Sequence, residues 1–287
     1  MKMSRWISMA AVFAVGLITS AGAMAQQPHP WQMNFQKAAT PVMEDIVEFH
    51  NWLLVIEVAI VILVLGLMVY IVIKFNAKAN PVPSKTTHNA PLEIIWTVVP
   101  IVILVAIAVP SMRLLFFMDK APNPEMTLKV IGNQWFWSYE YPDHGNFTFD
   151  SNLTQKEDLP DDKKSLYLLE VDNHVVLPAD TSIRLLFTAN DVLHNWAIPS
   201  FGVKMDTVPG RINEAWIQVP FKDMGTYYGQ CSELCGVNHG YMPIAVDIVS
   251  KAEFAAWVEK AKEEFARADE PAVDVARIGA GPAADGR

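Results

Sequence analysis

The chain has 287 residues, 52% of them hydrophobic and 18% charged, with 31 acids against 22 bases. That composition is too apolar for a disordered chain and lacks the basic surplus that nucleic-acid binding requires. Two cysteines in this length exclude a disulfide-framework scaffold.

The N-terminus has the pattern of an export signal. Lys2 and Arg5 supply positive charge, residues 6–19 are apolar, and Ala23-Met24-Ala25 is a small-x-small cleavage site before Gln26. The expectation is a signal peptide over 1–25 and a mature chain starting near Gln26. Residues 52–73 then form an apolar run with one charge, Glu57, and residues 94–112 form a second run with none. Each can cross a hydrocarbon core, which takes about 20 helical residues. The expected spans are about 52–73 and 94–115, within an N-terminal part covering 26–118. Lys74, Lys78 and Lys85 lie between the runs, whereas Glu44, Asp45 and Glu48 precede the first. The positive-inside rule places the connection in the cytoplasm and both ends outside, so the chain is expected to be an integral, two-span membrane protein. Glu57 is an intramembrane acid, a candidate for function or for pairing with a neighbouring subunit.

From Asp119 onward 26 acids face 15 bases, against 5 and 7 before it, so the acidity belongs to the exported part. An acidic surface favours a basic partner. Strand-like segments at 127–131, 167–171, 182–188, 215–219 and 244–249 alternate with turn signals and predict an all-β sandwich or barrel over 119–250. Ser250 and Glu253 form a capping box, and Phe254, Trp257, Val258, Ala261 and Phe265 share a helical face. A C-terminal helix and, from Asp269, a disordered tail are expected within 251–287.

The run GQCSELCGVNHGYM places Cys231, Cys235, His239 and Met242 within twelve residues, and His194 lies upstream in DVLHNWAIPSFGVKMD. Thiolate, imidazole and thioether make a soft donor set that suits copper. A disulfide and a Cys2His zinc site with His194 are the alternatives, and Met242 argues for copper because thioether is a weak axial ligand of that metal. Two cysteines and two histidines point to a binuclear centre, with bridging thiolates, terminal imidazoles, and Met242 and a carbonyl near Glu233 as weak outer ligands. In QWFWSYEY, alternation places Trp135 and Trp137 on one face and Phe136 on the other.

Five segments carry a resemblance: IIWTVVPIVILVAIAVPSMRLLFFMD, GNQWFWSYEYPD, LLEVDNHVVLPAD, DVLHNWAIPSFGVKMDTVPGR and YYGQCSELCGVNHGYMPI. Over roughly 42–250 the chain resembles subunit II of bacterial aa3-type cytochrome c oxidases of the haem–copper superfamily. The resemblance implies a two-helix hairpin carrying a cupredoxin-like Greek-key β-barrel in the periplasm, anchored in the bacterial inner membrane. It implies that His194, Cys231, the Glu233 carbonyl, Cys235, His239 and Met242 hold the binuclear copper centre CuA. It also implies that the Glu233 carboxylate reaches a magnesium at the interface with subunit I. Trp135 matches the family's electron-input residue, with Phe136 where many relatives carry tyrosine. Asp172 and Asp191 match acids that dock cytochrome c, joined by Glu140. Glu93 matches the entrance acid of a proton pathway into subunit I, and it also fits a helix cap. The implied activity is electron transfer from cytochrome c towards the haems of subunit I, coupled to proton translocation in a complex with further oxidase subunits. A membrane-tethered copper carrier or chaperone is the rival reading. The absence of a C-x-x-C-H motif predicts that the chain carries no covalent haem.

Overall fold

The computed structural model describes residues 26–119 and 121–265. The expected signal peptide and the tail from Asp269 lie outside the described residues.

Two long helices form the hairpin. Helix α1 spans Pro41–Lys74 and helix α2 spans Ala90–Asp119. Thr40 caps α1 by accepting from the Met43 amide at 3.1 Å, and Pro41 follows at the first helical position. Pro100 and Pro110 are accommodated inside α2. Both helices outrun the expected spans. At 1.5 Å per residue, the 34 residues of α1 measure about 51 Å, well beyond a hydrocarbon core of about 30 Å. The surplus lies mostly before residue 52, where the acidic first turns of α1 reach out towards the rest of the chain. Apart from Val42 and Met43 no residue of either helix is buried, and Glu57 is exposed on α1. Helices apolar all round with no internal core belong in lipid or against partner helices.

The rest is a β-sandwich. One sheet has the order β3-β2-β1-β5-β8, the other β4-β10-β9-β6-β7. The first is built from β1 (Met126–Asn133), β2 (Phe136–Tyr141), β3 (Phe147–Ser151), β5 (Ile183–Ala189) and β8 (Asn213–Ile217). The second uses β4 (Val175–Pro178), β6 (His194–Ile198), β7 (Val203–Thr207), β9 (Gly225–Cys231) and β10 (Pro243–Val249). β1 runs parallel to β5 and β4 parallel to β10, while the other pairings are antiparallel. Leu128, Val130, Trp137, Tyr139, Leu185, Phe187, Trp196, Ile198, Ile244 and Val246 fill the space between the sheets. Helix α3 (Lys251–Glu264) carries the expected capping box and buries Phe254, Val258 and Ala261.

The segment 167–171 departs from expectation. It forms turns, with Leu168 at φ 73°, and its only pairing is an isolated bridge between Val171 and Leu153. Its backbone is instead fixed by a small cluster of Leu166, Val171, Tyr228 and Ala245 and by the buried Glu170. The Glu170 carboxylate accepts from Lys163 Nζ at 3.2 Å and Tyr228 OH at 3.1 Å and contacts His174 Nε2. His174 Nδ1 meets Asp247 on β10 at 3.0 Å.

The sandwich is tied to both ends of the hairpin. Ala39 N donates to Ser200 O at 2.9 Å, and Thr40 Oγ1 donates to Phe201 O at 2.8 Å. Trp216 Nε1 donates to Phe117 O near the end of α2 at 3.0 Å. Gly202, at φ 68°, lets the chain pass close to α1: a Cβ there would lie 2.9 Å from Ile46 Cδ1.

Candidate metal centre

Strand order assembles the site. β6 and β9 are neighbours, with Trp196 opposite Cys231, so His194 at the start of β6 lies beside Cys231 at the end of β9. The chain between β9 and β10, residues 232–242, carries Glu233, Cys235, His239 and Met242. Ligand atoms of His194, Cys231 and Cys235 lie within 4.8 Å of one another, and all three residues are buried. The two Sγ atoms are 3.9 Å apart. Cys235 Sγ is 3.6 Å from His239 Nδ1 and 3.5 Å from Met242 Sδ, and Cys231 Sγ is 3.4 Å from the Glu233 carbonyl. The six positions expected from the sequence therefore converge on one spot.

The residues fit a bound soft metal. Both cysteines are free thiols, and a 3.9 Å separation leaves room for an ion between them. His194 Nδ1 is buried without a hydrogen-bond partner, while its Nε2 meets Asp191 Oδ1 at 2.9 Å. A ring nitrogen held by a carboxylate leaves the other nitrogen directed at a metal, the usual arrangement of a ligating histidine. Burial pushes the Cys231 thiol up, but the neighbouring His194 ring and the Asn195 and Glu233 backbones outweigh it and bring it down. Burial, together with the neighbouring Cys231, pushes Cys235 up. One thiolate thus forms readily and hinders the second, a conflict that positive ions between the sulfurs remove.

A hairpin from the other sheet closes the site. Gln134 Nε2 and Trp135 Nε1 both donate to Cys235 O, at 2.9 and 3.1 Å. Trp137 Nε1 donates to Met242 O at 3.2 Å, and its ring meets His194 edge-on at 5.9 Å between centroids. Trp135 precedes β2, so strand alternation does not govern it, yet both indoles reach the metal loop. Gly236 at φ 121° gives Trp135 its seat, since a Cβ there would lie 3.0 Å from the ring. Gly132 does the same for His194: a Cβ would meet its ring at 2.7 Å. Nothing in the sequence marks Gln134, because its partner lies 101 residues away.

The three expected docking acids are already engaged. Asp191 accepts from Gln134 N at 2.6 Å and Val192 N at 2.6 Å as well as holding His194. Burial raises the Asp191 carboxyl, but His194 and the two amides bring it down. Asp172 accepts from Asn152 N and Asn173 N, both at 2.7 Å. Glu140 pairs with Lys129 at 2.8 Å, which offsets its charge. Glu93 lies in the first turn of α2, about 40 Å along the helix axis from Asp119. Its Oε1 accepts from Asn89 N at 3.1 Å, and Leu92 N donates to Asn89 Oδ1 at 3.2 Å, which is capping geometry.

Comparison with known proteins agrees. Residues 126–249 match the family model "Cytochrome C oxidase subunit II, periplasmic domain", and residues 28–114 match "Cytochrome C oxidase subunit II, transmembrane domain". A Rickettsia felis protein named "Probable cytochrome c oxidase subunit 2" is 54% identical over 242 residues, covering 84% of this chain and 76% of the relative. "Cytochrome c oxidase subunit 2" of Phytophthora megasperma is 48% identical, covering 80% of this chain and 87% of the relative. The crystal structure of the periplasmic domain of subunit II of cytochrome oxidase from Bradyrhizobium japonicum is 47% identical, covers 51% of this chain and 99% of that chain, and superposes with a TM-score of 0.46. From the sequence to the folded site, the chain belongs to the cytochrome c oxidase subunit II family.

Proposed function

We propose that this chain receives electrons from cytochrome c on the periplasmic side of the bacterial inner membrane and passes them to subunit I. Its family places it in a cytochrome c oxidase, a haem–copper terminal oxidase, and this favours an oxidase subunit over a tethered copper carrier. The single observation that carries the residue assignment is the pair of free, buried thiols 3.9 Å apart, ringed by imidazole, thioether and carbonyl donors. His194, Cys231, Cys235, His239, Met242 and the Glu233 carbonyl hold the two ions of CuA. When bound, that centre supplies a one-electron carrier that needs little rearrangement between its redox states.

The protein's own groups then do three things. Asp191 fixes the ring of His194 and so directs its Nδ1. Trp135, half-buried with its indole N–H on Cys235 O, offers a contact face outside and a short covalent and hydrogen-bonded route inwards. Asp172 and Asp191, with Glu140 contributing less because Lys129 neutralises it, present the acidic face that orients a basic cytochrome c. Asp191 serves both the copper and the docking face, which ties the two together. The Glu233 carboxylate reaches a magnesium at the interface with subunit I. Glu93, on the cytoplasmic side, admits protons, and its capping bond to Asn89 holds it at the mouth. Residues 1–25 act as the signal peptide, 26–118 as the membrane part and 119–250 as the copper domain, with the helix and tail following.

The test is a copper-to-protein ratio with an electron paramagnetic resonance spectrum of the purified oxidase. A ratio of about two at this subunit, with the spectrum of paired coppers, is expected. One copper, or the spectrum of a lone ion, would refute the assignment. Trp135→Ala should keep that spectrum and lower kcat/KM for cytochrome c by at least about tenfold. Unchanged turnover would remove Trp135 from the route.

A further inference from the structure

The outer end of the hairpin holds a cavity of about 620 Å³ that the electron-transfer role does not use. It is lined by Asp45, Glu48, Phe49 and Trp52 on α1 and by Pro110, Arg113, Leu114 and Phe117 on α2. Each set has the spacing i, i+3, i+4, i+7, so each is one face of its helix and the two faces look at each other across the gap. The charges are sorted, with both acids on α1 and the single cation on α2. They are also unspent. The salt bridges among the described residues are made by the exported part and by Lys37, and none involves Asp45, Glu48 or Arg113.

Depth decides what fits. The apolar run of α1 begins at Trp52, and the charge-free run of α2 ends at Met112. The cavity therefore straddles the boundary between headgroups and acyl chains. Phe49, Trp52 and Phe117 are aromatic side chains of the kind that gather at that level. Below it both helices present exposed apolar side chains. An occupant must be charged at the top and apolar beneath. It must offer a cation to two carboxylates and an anion to one guanidinium, which prefers phosphate in a bidentate grip. An anionic head without an ammonium would leave the carboxylates unmatched and be repelled by them.

We infer that this groove binds one aminophospholipid of the outer leaflet, with its phosphate on Arg113, its ammonium at Asp45 and Glu48, and its chains against Trp52, Pro110 and Leu114. The lipid completes the gap between the helices directly beneath the anchorage of the β-sandwich, where Phe117 also supports Trp216.

The test uses the intact oxidase containing this chain, purified in detergent, stripped of lipid and titrated with phosphatidylethanolamine or phosphatidylglycerol. Native mass spectrometry counts the lipids retained. The wild-type complex should retain one phosphatidylethanolamine at this site with about tenfold preference over phosphatidylglycerol. Arg113→Gln, and separately the pair Asp45→Asn with Glu48→Gln, should abolish the preference. Equal retention of the two lipids by the wild type, or a preference that survives both variants, would overturn the proposal. A photo-reactive amino acid in place of Phe117 gives an independent reading should a charge variant fail to assemble. A cross-link of lipid mass supports the site. A cross-link to a partner subunit shows that protein fills the groove and sinks the idea.

Discussion

The hairpin and the β-sandwich solve opposite problems. Over its spans the hairpin is apolar on every side and buries almost nothing of itself, so its stability depends on bilayer and partner helices. The sandwich closes on its own core and matches a buried carboxylate at Glu170, while a few buried polar atoms, His194 Nδ1 at the thiol pair among them, have no protein partner. Precision at the copper site thus comes from the part that supplies its own packing. Perturbations in the two regions should differ accordingly.

The largest effect should fall on the thiols. Cys231→Ser or Cys235→Ser removes one of the two thiolates proposed to hold the copper pair, and electron input from cytochrome c should drop below about a hundredth, a larger loss than for groups that merely support a ligand. Stopped-flow oxidation of cytochrome c, read beside the copper spectrum, checks this. An intact paired-copper spectrum in either variant would break the contrast between the regions.

Next comes pH. Burial alone would push His174 down, but hydrogen bonds to Asp247 and Glu170 outweigh it and raise it from 6.5 to about 9. Its stabilisation is therefore complete below about pH 6.5 and drains away as pH rises through about 9, to a total of at most about 3 kcal/mol. Burial pushes Glu170 up, but His174 and Lys163 bring it from 4.5 down to about 2. Its contribution is present above pH 4.5 and fades as pH falls through about 2. Denaturant unfolding of the sandwich, followed by tryptophan fluorescence between pH 6 and 10, should show the alkaline loss. His174→Gln should flatten it.

Gly132→Ala tests the fit between the sheets. The added carbon would lie 2.7 Å from the His194 ring and 2.8 Å from Thr207 Oγ1. A destabilisation of about 1–3 kcal/mol and a changed copper spectrum are expected. The smallest effect belongs to the hairpin. Nothing lies within 4 Å of a Cβ at Gly66, so Gly66→Ala should shift unfolding of the sandwich by less than about 0.5 kcal/mol. A larger shift would mean that the hairpin transmits strain upwards.

The two regions also differ in how far sequence reveals them. The spans follow from the two long apolar runs, whereas the extensions beyond them, before residue 52 of α1 down to the Thr40 cap and at both ends of α2, appear only in the fold. In the sandwich, β1, β5 and β10 were recognisable by residue type and alternation. β4 was not, because all four of its residues are buried and no alternation remains. β6 and β9 were hidden for a related reason. His194-Asn-Trp and Tyr-Gly-Gln-Cys carry the site, and polar residues there interrupt the apolar pattern. The 167–171 segment has strand-like composition, yet a buried carboxylate and a positive φ at Leu168 decide its path. The six residues that converge on the thiol pair were legible from their chemistry as candidate copper donors. The supporting contacts were not, since Gln134 and Trp135 reach the Cys235 carbonyl across about a third of the chain. Asp191 is expected to face a partner only through the family resemblance, and its grip on His194 comes from the fold.

Three tethers bind the sandwich to the hairpin: Ala39 to Ser200, Thr40 to Phe201, and Phe117 to Trp216. Two seize the foot of the first helix and one the crown of the second, so the copper domain stands as on a braced mast rather than swinging from a string. Tunnelling rates decay exponentially with separation. Holding the metal at one altitude above the bilayer lets every electron leave from the same height, and a looser joint would spend most of its time too far away.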